Sequence, residues 1–430
     1  MESSKADAST SIKIRIGEKN KMSEFINELK ERGYIHQCTN ESGVSETNPL
    51  IGYIGFDCTG KSLHVGSLVQ IMMLRKMQQY GHKPIVLMGG GTTQIGDPSG
   101  KDEARVMLTK DQIQDNKNEL SKVFSKFINF GKSNDSAIML DNSEWLEGIN
   151  YIDFLRDYGR YFSVNRMLSF DSVKLRLDRE QNLSFLEFNY MLLQAYDFAE
   201  LYKRYGCRLQ MGGSDQWGNI VSGVDLVRRL SMPEVFGLTS PLITTSSGAK
   251  MGKTANGAVW LNPDMLSPYD YWQFWRNTED ADVKRFLLLF TELPKDEINR
   301  LSALKDKEIN EAKIVLANNA TALCHGSEAA ESAYKTAIET FYDGGSGGEL
   351  PVYYISKEDI SDGIPIFKVL ANSGILDSGG AARRMIQGGG VKIENKSIDN
   401  EMDIISYETL KGDGIKISIG KKKHCILKVK

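Results

Sequence analysis

Ile51-Gly52-Tyr53-Ile54-Gly55-Phe56-Asp57-Cys58-Thr59-Gly60-Lys61-Ser62-Leu63-His64-Val65-Gly66-Ser67 is the stretch that decides the fold. Ile51 to Phe56 is apolar without alternation, as in a strand buried on both faces. Asp57 to Gly60 is a turn. Ser62 is placed to cap a helix that runs to about Tyr80, with Gly81 as its stop. The inner face of that helix carries Val65, Leu68, Met72 and Leu74. Pro84 to Met88 then reads as a second short strand. Strand, helix, strand is a βαβ unit, the opening of a doubly wound parallel sheet. Ligands of such sheets sit at the carboxyl ends of strands, and the segments 53–59 and 89–101 both fall there.

Working outward, residues 21–34 repeat apolar groups at helical spacing (Met22, Phe25, Ile26, Leu29). The stretch 111–240 alternates helical and strand-like runs, and 266–342 is helix-rich. Asp343 to Gly348 is a Gly/Ser linker. The reading is therefore a polar extension over 1–20, a Rossmann-like catalytic domain over 21–245, a helical domain over 246–342, a linker over 343–362 and a small α+β domain over 363–430. No repeat recurs at a fixed period.

Composition narrows the function. The chain has 430 residues, with 41% hydrophobic and 25% charged, which is ordinary for a globular protein. No apolar run approaches the ~20 residues of a membrane span. The first twenty residues lack an apolar core, which argues against a secretory or transit peptide. The five cysteines are scattered without a CxxC pair, so neither a disulfide framework nor a cysteine-based zinc site is expected. A reducing, cytoplasmic setting follows. Net charge is −3, yet residues 363–430 hold 12 Lys and Arg against 7 Asp and Glu. A basic terminal module on an acidic body suits local contact with RNA, although a solvated lysine-rich tail would look the same.

Several segments carry chemistry. Gly89-Gly90-Gly91 lets the backbone approach a ligand closely, and Gly96-Asp97-Pro98-Ser99-Gly100-Lys101 continues the segment. It is not a Walker A loop: three residues rather than four separate Gly96 from Gly100, and Asp102 stands where Ser or Thr belongs. Ser247 to Thr254 would be a P-loop if Ser247 were glycine. The strand-like Val259-Trp260-Leu261 that follows opens no helix, so Lys250 and Lys253 read better as phosphate contacts on a loop. His64, one of only five histidines, lies between a strand-turn and a helix, where an imidazole meets the positive helix end. In the helix 184–201, Tyr190, Gln194 and Asp197 share one face. A buried carboxylate there needs a hydrogen-bond partner, and a ligand phenol is one candidate; a solvent-exposed polar face is the alternative. Gly212 to Asn219 pairs permissive glycines with short polar side chains, as a ribose or ammonium site or as a plain turn.

In this order, His64-Val65-Gly66-Ser67 and Lys250-Met251-Gly252-Lys253-Thr254 resemble the HIGH and KMSKS motifs of class I aminoacyl-tRNA synthetases. With the segments 53–59, 95–101, 190–197 and 212–219, the chain resembles the bacterial-type tyrosyl-tRNA synthetases from about residue 30 to its end. The resemblance implies a tyrosine–tRNA ligase. Such an enzyme activates L-tyrosine with ATP to tyrosyl-adenylate and pyrophosphate, then transfers tyrosine to the 3′-terminal ribose of tRNA(Tyr). It implies that Tyr53 and Asp197 bond the phenol. Asp97, Tyr190 and Gln194 would hold the ammonium, with Gln216 near the carboxyl end. Asp57, Gly66 and Asp215 would contact the adenylate, Asp215 on the ribose. Thr59, His64, Lys101, Arg105, Lys250, Lys253 and Thr254 would stabilise the leaving pyrophosphate. Magnesium would accompany ATP on its phosphates, with no dedicated protein metal site.

Three positions depart from the family pattern. Ser67 replaces a frequent second histidine. Gly252 stands where the common motif has serine. Cys58 replaces a frequent proline, which loosens the turn before Thr59. Towards the C-terminus, residues 381–393 resemble an S4-type RNA-binding module. Arg383 and Arg384 would lie on its short helix and Lys392 on the strand after it. The family further implies a homodimer, each tRNA spanning both subunits. The rivals are a tryptophan-specific relative, an RNA-binding protein with a dead synthetase body, and a P-loop NTPase.

Overall fold

A computed structural model describes residues 24–47, 49–98, 107–248, 251–254, 257–341, 350–412, 414–420 and 423–430. Two compact units divide the chain. The first comprises residues 1–265 and 279–304, the second 266–278 and 305–430.

The first unit is built on a six-stranded sheet. Its strands are β1 (Gln37–Cys38), β2 (Ile51–Phe56), β3 (Lys83–Met88), β4 (Ile138–Asp141), β5 (Leu209–Gly213) and β6 (Phe236–Ser240), in spatial order β1-β6-β5-β2-β3-β4. Only β1 runs antiparallel, to β6. From β2 the chain winds one way through β3 and β4; β5 and β6 lie on the other side. The β2/β5 crevice is thus the topological switch point, where open α/β sheets bind ligands. The doubly wound sheet expected from the sequence is present.

The helix after β2 begins later than the sequence suggests. Val65–Ser67 is a 3₁₀ turn and the α-helix spans Leu68–Gln79. Ser62 is not its cap. Ser62 Oγ donates to Leu63 O and accepts from the Asn262 N–H. Capping falls on the 3₁₀ turn instead, where the His64 ring accepts from the Gly66 N–H; the α-helix itself starts after Ser67 with no side-chain cap. The helix Phe185–Tyr205 opens with a capping box at Ser184 and Glu187 and stops at Gly206, whose φ of 68° is in the left-handed region that favours glycine. It packs on the helix Trp217–Arg229.

The boundary expected at residue 246 falls elsewhere, for a hydrogen-bonding reason. The helix over 24–31 ends near Arg32, which is buried and pairs with Glu28. Arg32 also donates to the carbonyls of Leu288, Thr291 and Leu293 at 2.9–3.1 Å, closing the end of the helix Val283–Phe290. Asp282 accepts from the Ser246 N–H at 2.7 Å, and Glu279 from Ser247 Oγ at 2.9 Å. Residues 279–304 are thereby part of the first unit.

In the second unit, the helices Pro268–Arg276, Ile309–His325 and Ser327–Phe341 pack together. A five-stranded sheet follows, in order Lys396–Ser397, Val391–Ile393, Ile415–Ile419, Lys423–Val429, Val352–Ile355. The linker expected over 343–362 is shorter at its far end. Val352–Ile355 pairs in parallel with Lys423–Val429, and Lys357–Ile360 is a helical turn capped by Ser356. Among the described residues no helix is long and apolar enough to cross a membrane.

Candidate active site

A cavity of about 580 Å³ opens at the carboxyl ends of β2 and β5. It brings together eleven residues singled out in the sequence: Tyr53, Asp57, Thr59, His64, Gly66, Asp97, Tyr190, Gln194, Asp197, Asp215 and Gln216. Lys101, Arg105 and Lys250 lie outside the described residues. Lys253 and Thr254 form one arm of a short antiparallel hairpin with Gly257–Ala258. A strand and hairpin here, rather than a helix, dispose of the P-loop alternative.

The deep end of the cavity is set by a buried carboxylate. Asp197 lies on the inner face of Phe185–Tyr205 and is 2% exposed. Its Oδ1 accepts from Trp145 Nε1 at 2.7 Å and its Oδ2 from Asn142 Nδ2 at 3.0 Å. Burial pushes its pKa up to about 7; the bonds from Asn142 and Trp145 restrain the rise, and the carboxylates of Asp57 and Asp141 add to it. Tyr53 is 1% exposed, and its hydroxyl has no hydrogen-bond partner among the described residues. Burial, then the charge of Asp197, holds its pKa well above the usual phenol value.

The middle of the cavity is a polar mesh. Gln216 Nε2 donates to Asp97 Oδ2 at 2.7 Å. Asn219 Nδ2 donates to Gln194 Oε1 at 3.0 Å and to Gln216 Oε1 at 3.2 Å. Nearer the strand ends, Asp57 Oδ1 accepts from Tyr190 Oη at 3.0 Å and Thr92 Oγ1 at 3.1 Å. Asn142 Nδ2 also reaches Thr92 Oγ1, at 3.0 Å. Asn142 is therefore shared between the Asp197 and Asp57 ends.

At the open end, His64 Nδ1 accepts the Gly66 N–H at 3.0 Å. A lone pair at Nδ1 puts the ring proton on Nε2, which makes Nε2 a donor. The two signature segments are tied through the backbone. Val65 N–H donates to Val259 O, Val259 N–H to Gly252 O and Leu261 N–H to Leu63 O. Gly252 has φ +84°, and a Cβ there would lie 2.9 Å from His64 Nδ1 and 3.0 Å from Gly66 N. Glycine in place of the common serine is thus required for this close approach. The turn holding Cys58 is not loose either: its N–H donates to Thr93 Oγ1 at 2.7 Å, and its carbonyl accepts from Asn116 Nδ2 at 2.8 Å. Ser67 lines the cavity as well.

Asn142, Trp145, Thr92, Thr93 and Asn116 escaped the sequence reading. A signal existed for the first two. They follow β4 at its carboxyl end, but the sequence over 111–240 shows only an alternation of helical and strand-like runs. In the second unit, Arg383 and Arg384 are exposed on the helix Gly379–Gln387, and Lys392 is exposed on the next strand. The Arg383 guanidinium lies 4.0 Å over the Phe367 ring, and its Nε is 3.3 Å from Glu401.

Comparisons with known proteins agree with this geometry. A family model described as tRNA synthetases class I (W and Y) matches residues 45–342. The tyrosine–tRNA ligase of Beijerinckia indica is 59% identical over 411 residues, 95% of this chain and 97% of that protein. That of Zymomonas mobilis is 59% identical over 408 residues, 94% and 98% of the two chains. The solved structure of a C-terminally truncated mitochondrial tyrosyl-tRNA synthetase from Aspergillus nidulans superposes with a TM-score of 0.66 at 30% identity, covering 74% of this chain and 94% of that one. The tyrosyl-tRNA synthetase of Archaeoglobus fulgidus, complexed with L-tyrosine, shares the fold with a TM-score of 0.54 at 17% identity, over 72% and 99% of the chains. The chain belongs to the class I tRNA synthetases of the tryptophan and tyrosine family. Its activity is tyrosine–tRNA ligation, with tyrosine, ATP and tRNA as substrates.

The raised pKa of Asp197 has a measurable consequence. In the unfolded chain an aspartate loses its proton near pH 3.9, about 3 units before the folded one does. Between these values the unfolded state binds fewer protons, so the contribution of Asp197 to stability is full below pH ~4 and is lost as pH rises through ~7. Thermal midpoints of wild type and Asp197→Ala, followed from pH 4 to 8, should shift relative to one another in favour of the variant as pH rises. A difference that does not change with pH would contradict the assignment.

Proposed function

We propose that tyrosine enters phenol first, with its hydroxyl between Asp197 and Tyr53 and its carboxyl directed at the nucleotide. The observation that carries this reading is the pair at the deep end. The buried Tyr53 hydroxyl has no partner among the described residues, and each Asp197 oxygen accepts one side-chain N–H and has a second lone pair to offer. A phenol satisfies both groups. Phenylalanine satisfies neither.

Asp97, Tyr190 and Gln194 hold the ammonium in this reading, with Gln216 near the carboxyl end. Asp57, Gly66 and Asp215 contact the adenylate, Asp215 on the ribose. The tyrosine carboxylate oxygen attacks the α-phosphorus in line; the new O–P bond forms as the bond to the β-phosphate oxygen breaks. Pyrophosphate leaves with the charge that builds on it, met by Thr59, the Nε2–H of His64, and Lys101, Arg105, Lys250, Lys253 and Thr254. Magnesium arrives as part of the ATP substrate, on phosphate oxygens and water. A terminal ribose hydroxyl of tRNA then takes the acyl group, and AMP leaves.

The second unit is read as the RNA side, with residues 363–430 an S4-like module and Arg383, Arg384 and Lys392 its tRNA contacts. Their exposure and the local basic charge support this. The working enzyme is read as a homodimer. Nine of the 17 exposed large apolar side chains among the described residues fall within 151–186, including Ile152 at 67% and Phe185 at 70% exposure. Exposed apolar groups concentrated in one segment point to an association surface, and a second copy is the occupant proposed. The cytoplasm is the proposed compartment, in keeping with five free cysteines; cell fractionation with the native protein would check it.

Pyrophosphate exchange and tRNA charging separate the parts. His64→Ala should lower both, removing about 2–4 kcal/mol of transition-state stabilisation while tyrosine affinity holds. Arg383→Ala with Arg384→Ala should leave exchange intact and slow charging at low tRNA concentration. Normal exchange by the first variant removes His64 from the chemistry, and normal charging by the second removes the arginines from the RNA interface. For the dimer, Ile152→Lys with Phe185→Lys should halve the mass seen in sedimentation equilibrium; a variant still of two chains would place the interface elsewhere, and a wild type of one chain would refute the dimer.

A further inference from the structure

We infer that Thr93 is a positioning residue for amino-acid activation, acting through the backbone of Cys58. The turn between β2 and the first signature motif carries Asp57 and Thr59, both lining the cavity. Between them, Cys58 is wholly buried. Its N–H has one acceptor of good geometry, Thr93 Oγ1 at 2.7 Å, and its carbonyl is held by Asn116 Nδ2 at 2.8 Å. Thr93 and Asn116 are each 7% exposed. Thr93 is itself fixed, since its own N–H donates to Gly89 O at 2.8 Å. Its neighbour Thr92 donates to the Asp57 carboxylate. Two consecutive threonines beyond β3 thus hold two consecutive residues beyond β2, one by its side chain and the other by its backbone.

A proline at position 58 would stiffen this turn through its ring and would have no N–H to satisfy. Cys58 leaves φ unconstrained by a ring and keeps the N–H, so the stiffness comes from a buried hydrogen bond instead. Removing the acceptor leaves a buried donor unpaired and frees the turn to move. Thr59 then loses its place at the leaving group while the deep tyrosine pocket is untouched. The inference rests on the reading of Asp57 and Thr59 as nucleotide-side residues.

The test is tyrosine-dependent pyrophosphate exchange, with tyrosine affinity and thermal midpoint measured on each variant. Thr93→Val keeps the shape and removes the acceptor. It should lower kcat about tenfold with tyrosine affinity unchanged. Thr93→Ser keeps the hydroxyl and should stay near wild type. Cys58→Pro in the Thr93→Val background should recover activity, because proline needs no acceptor; if that double variant does not fold, the serine and valine comparison decides alone. Wild-type exchange by Thr93→Val, equal losses in the valine and serine variants, or a matching loss of tyrosine affinity would each overturn the inference. Thr59→Val is run alongside. If Thr59→Val is impaired and Thr93→Val is not, the positioning role alone fails. If Thr59→Val is unimpaired, the nucleotide-side reading fails and takes the inference with it.

Discussion

A carboxylate buried at the bottom of the cavity organises the rest of the first unit. Asp197 is removed from water, so it must be hydrogen-bonded or neutral. Trp145 and Asn142 supply two donors, and both come from the segment just beyond β4. The edge strand of the sheet is thereby tied to the helix Phe185–Tyr205, whose face also carries Tyr190 and Gln194. Asn142 is the joint. Its Oδ1 accepts the Gly91 N–H at 2.8 Å, while its Nδ2 serves both Asp197 and Thr92. The glycine-rich segment after β3, the end of β4 and the recognition helix therefore form one connected polar framework.

The same framework couples recognition to chemistry. Thr92 passes from Asn142 to Asp57, and Tyr190 meets Asp57 from the opposite wall. At the open end, Gly252 lies against His64 and Gly66 with no room for a Cβ. Backbone bonds at Val259 and Leu261 fix the register between the two signature segments. Groups almost 190 residues apart thus act as neighbours because the sheet brings strand ends together and short backbone links complete the approach.

How much of this was legible in the sequence varies by element. The βαβ opening was, because 51–56 and 84–88 are unbroken runs without a charge, flanking a helix closed by Gly81. The line Tyr190, Gln194, Asp197 was, because helical periodicity makes polar residues on one face conspicuous. The cap after β2 was not: Ser62 has the customary chemistry, yet its hydroxyl is engaged by the Leu63 carbonyl and the Asn262 N–H, and capping is left to an imidazole. Trp145 and Asn142 were hidden because β4 is short and only partly buried. The division near residue 246 was misplaced because Arg32, far away in sequence, closes the helix Val283–Phe290. The expected linker ran too long because Val352–Ile355 completes the edge of a sheet whose other strands lie beyond residue 390. Long-range hydrogen bonds of this kind leave no periodic trace.

The central claim is that a buried acceptor and a buried hydroxyl read the substrate's phenol. Amino-acid-dependent ATP–pyrophosphate exchange by the purified full-length protein, run with tyrosine, phenylalanine and tryptophan, tests it most directly. Tyrosine should drive exchange. Phenylalanine should fall short in kcat/KM by on the order of 10⁵, the discrimination of tyrosine-specific synthetases as a class, because it would leave Asp197 and Tyr53 unpaired. Exchange with phenylalanine or tryptophan at a rate comparable with tyrosine would contradict the account, since the cavity would then be selecting on something other than the hydroxyl.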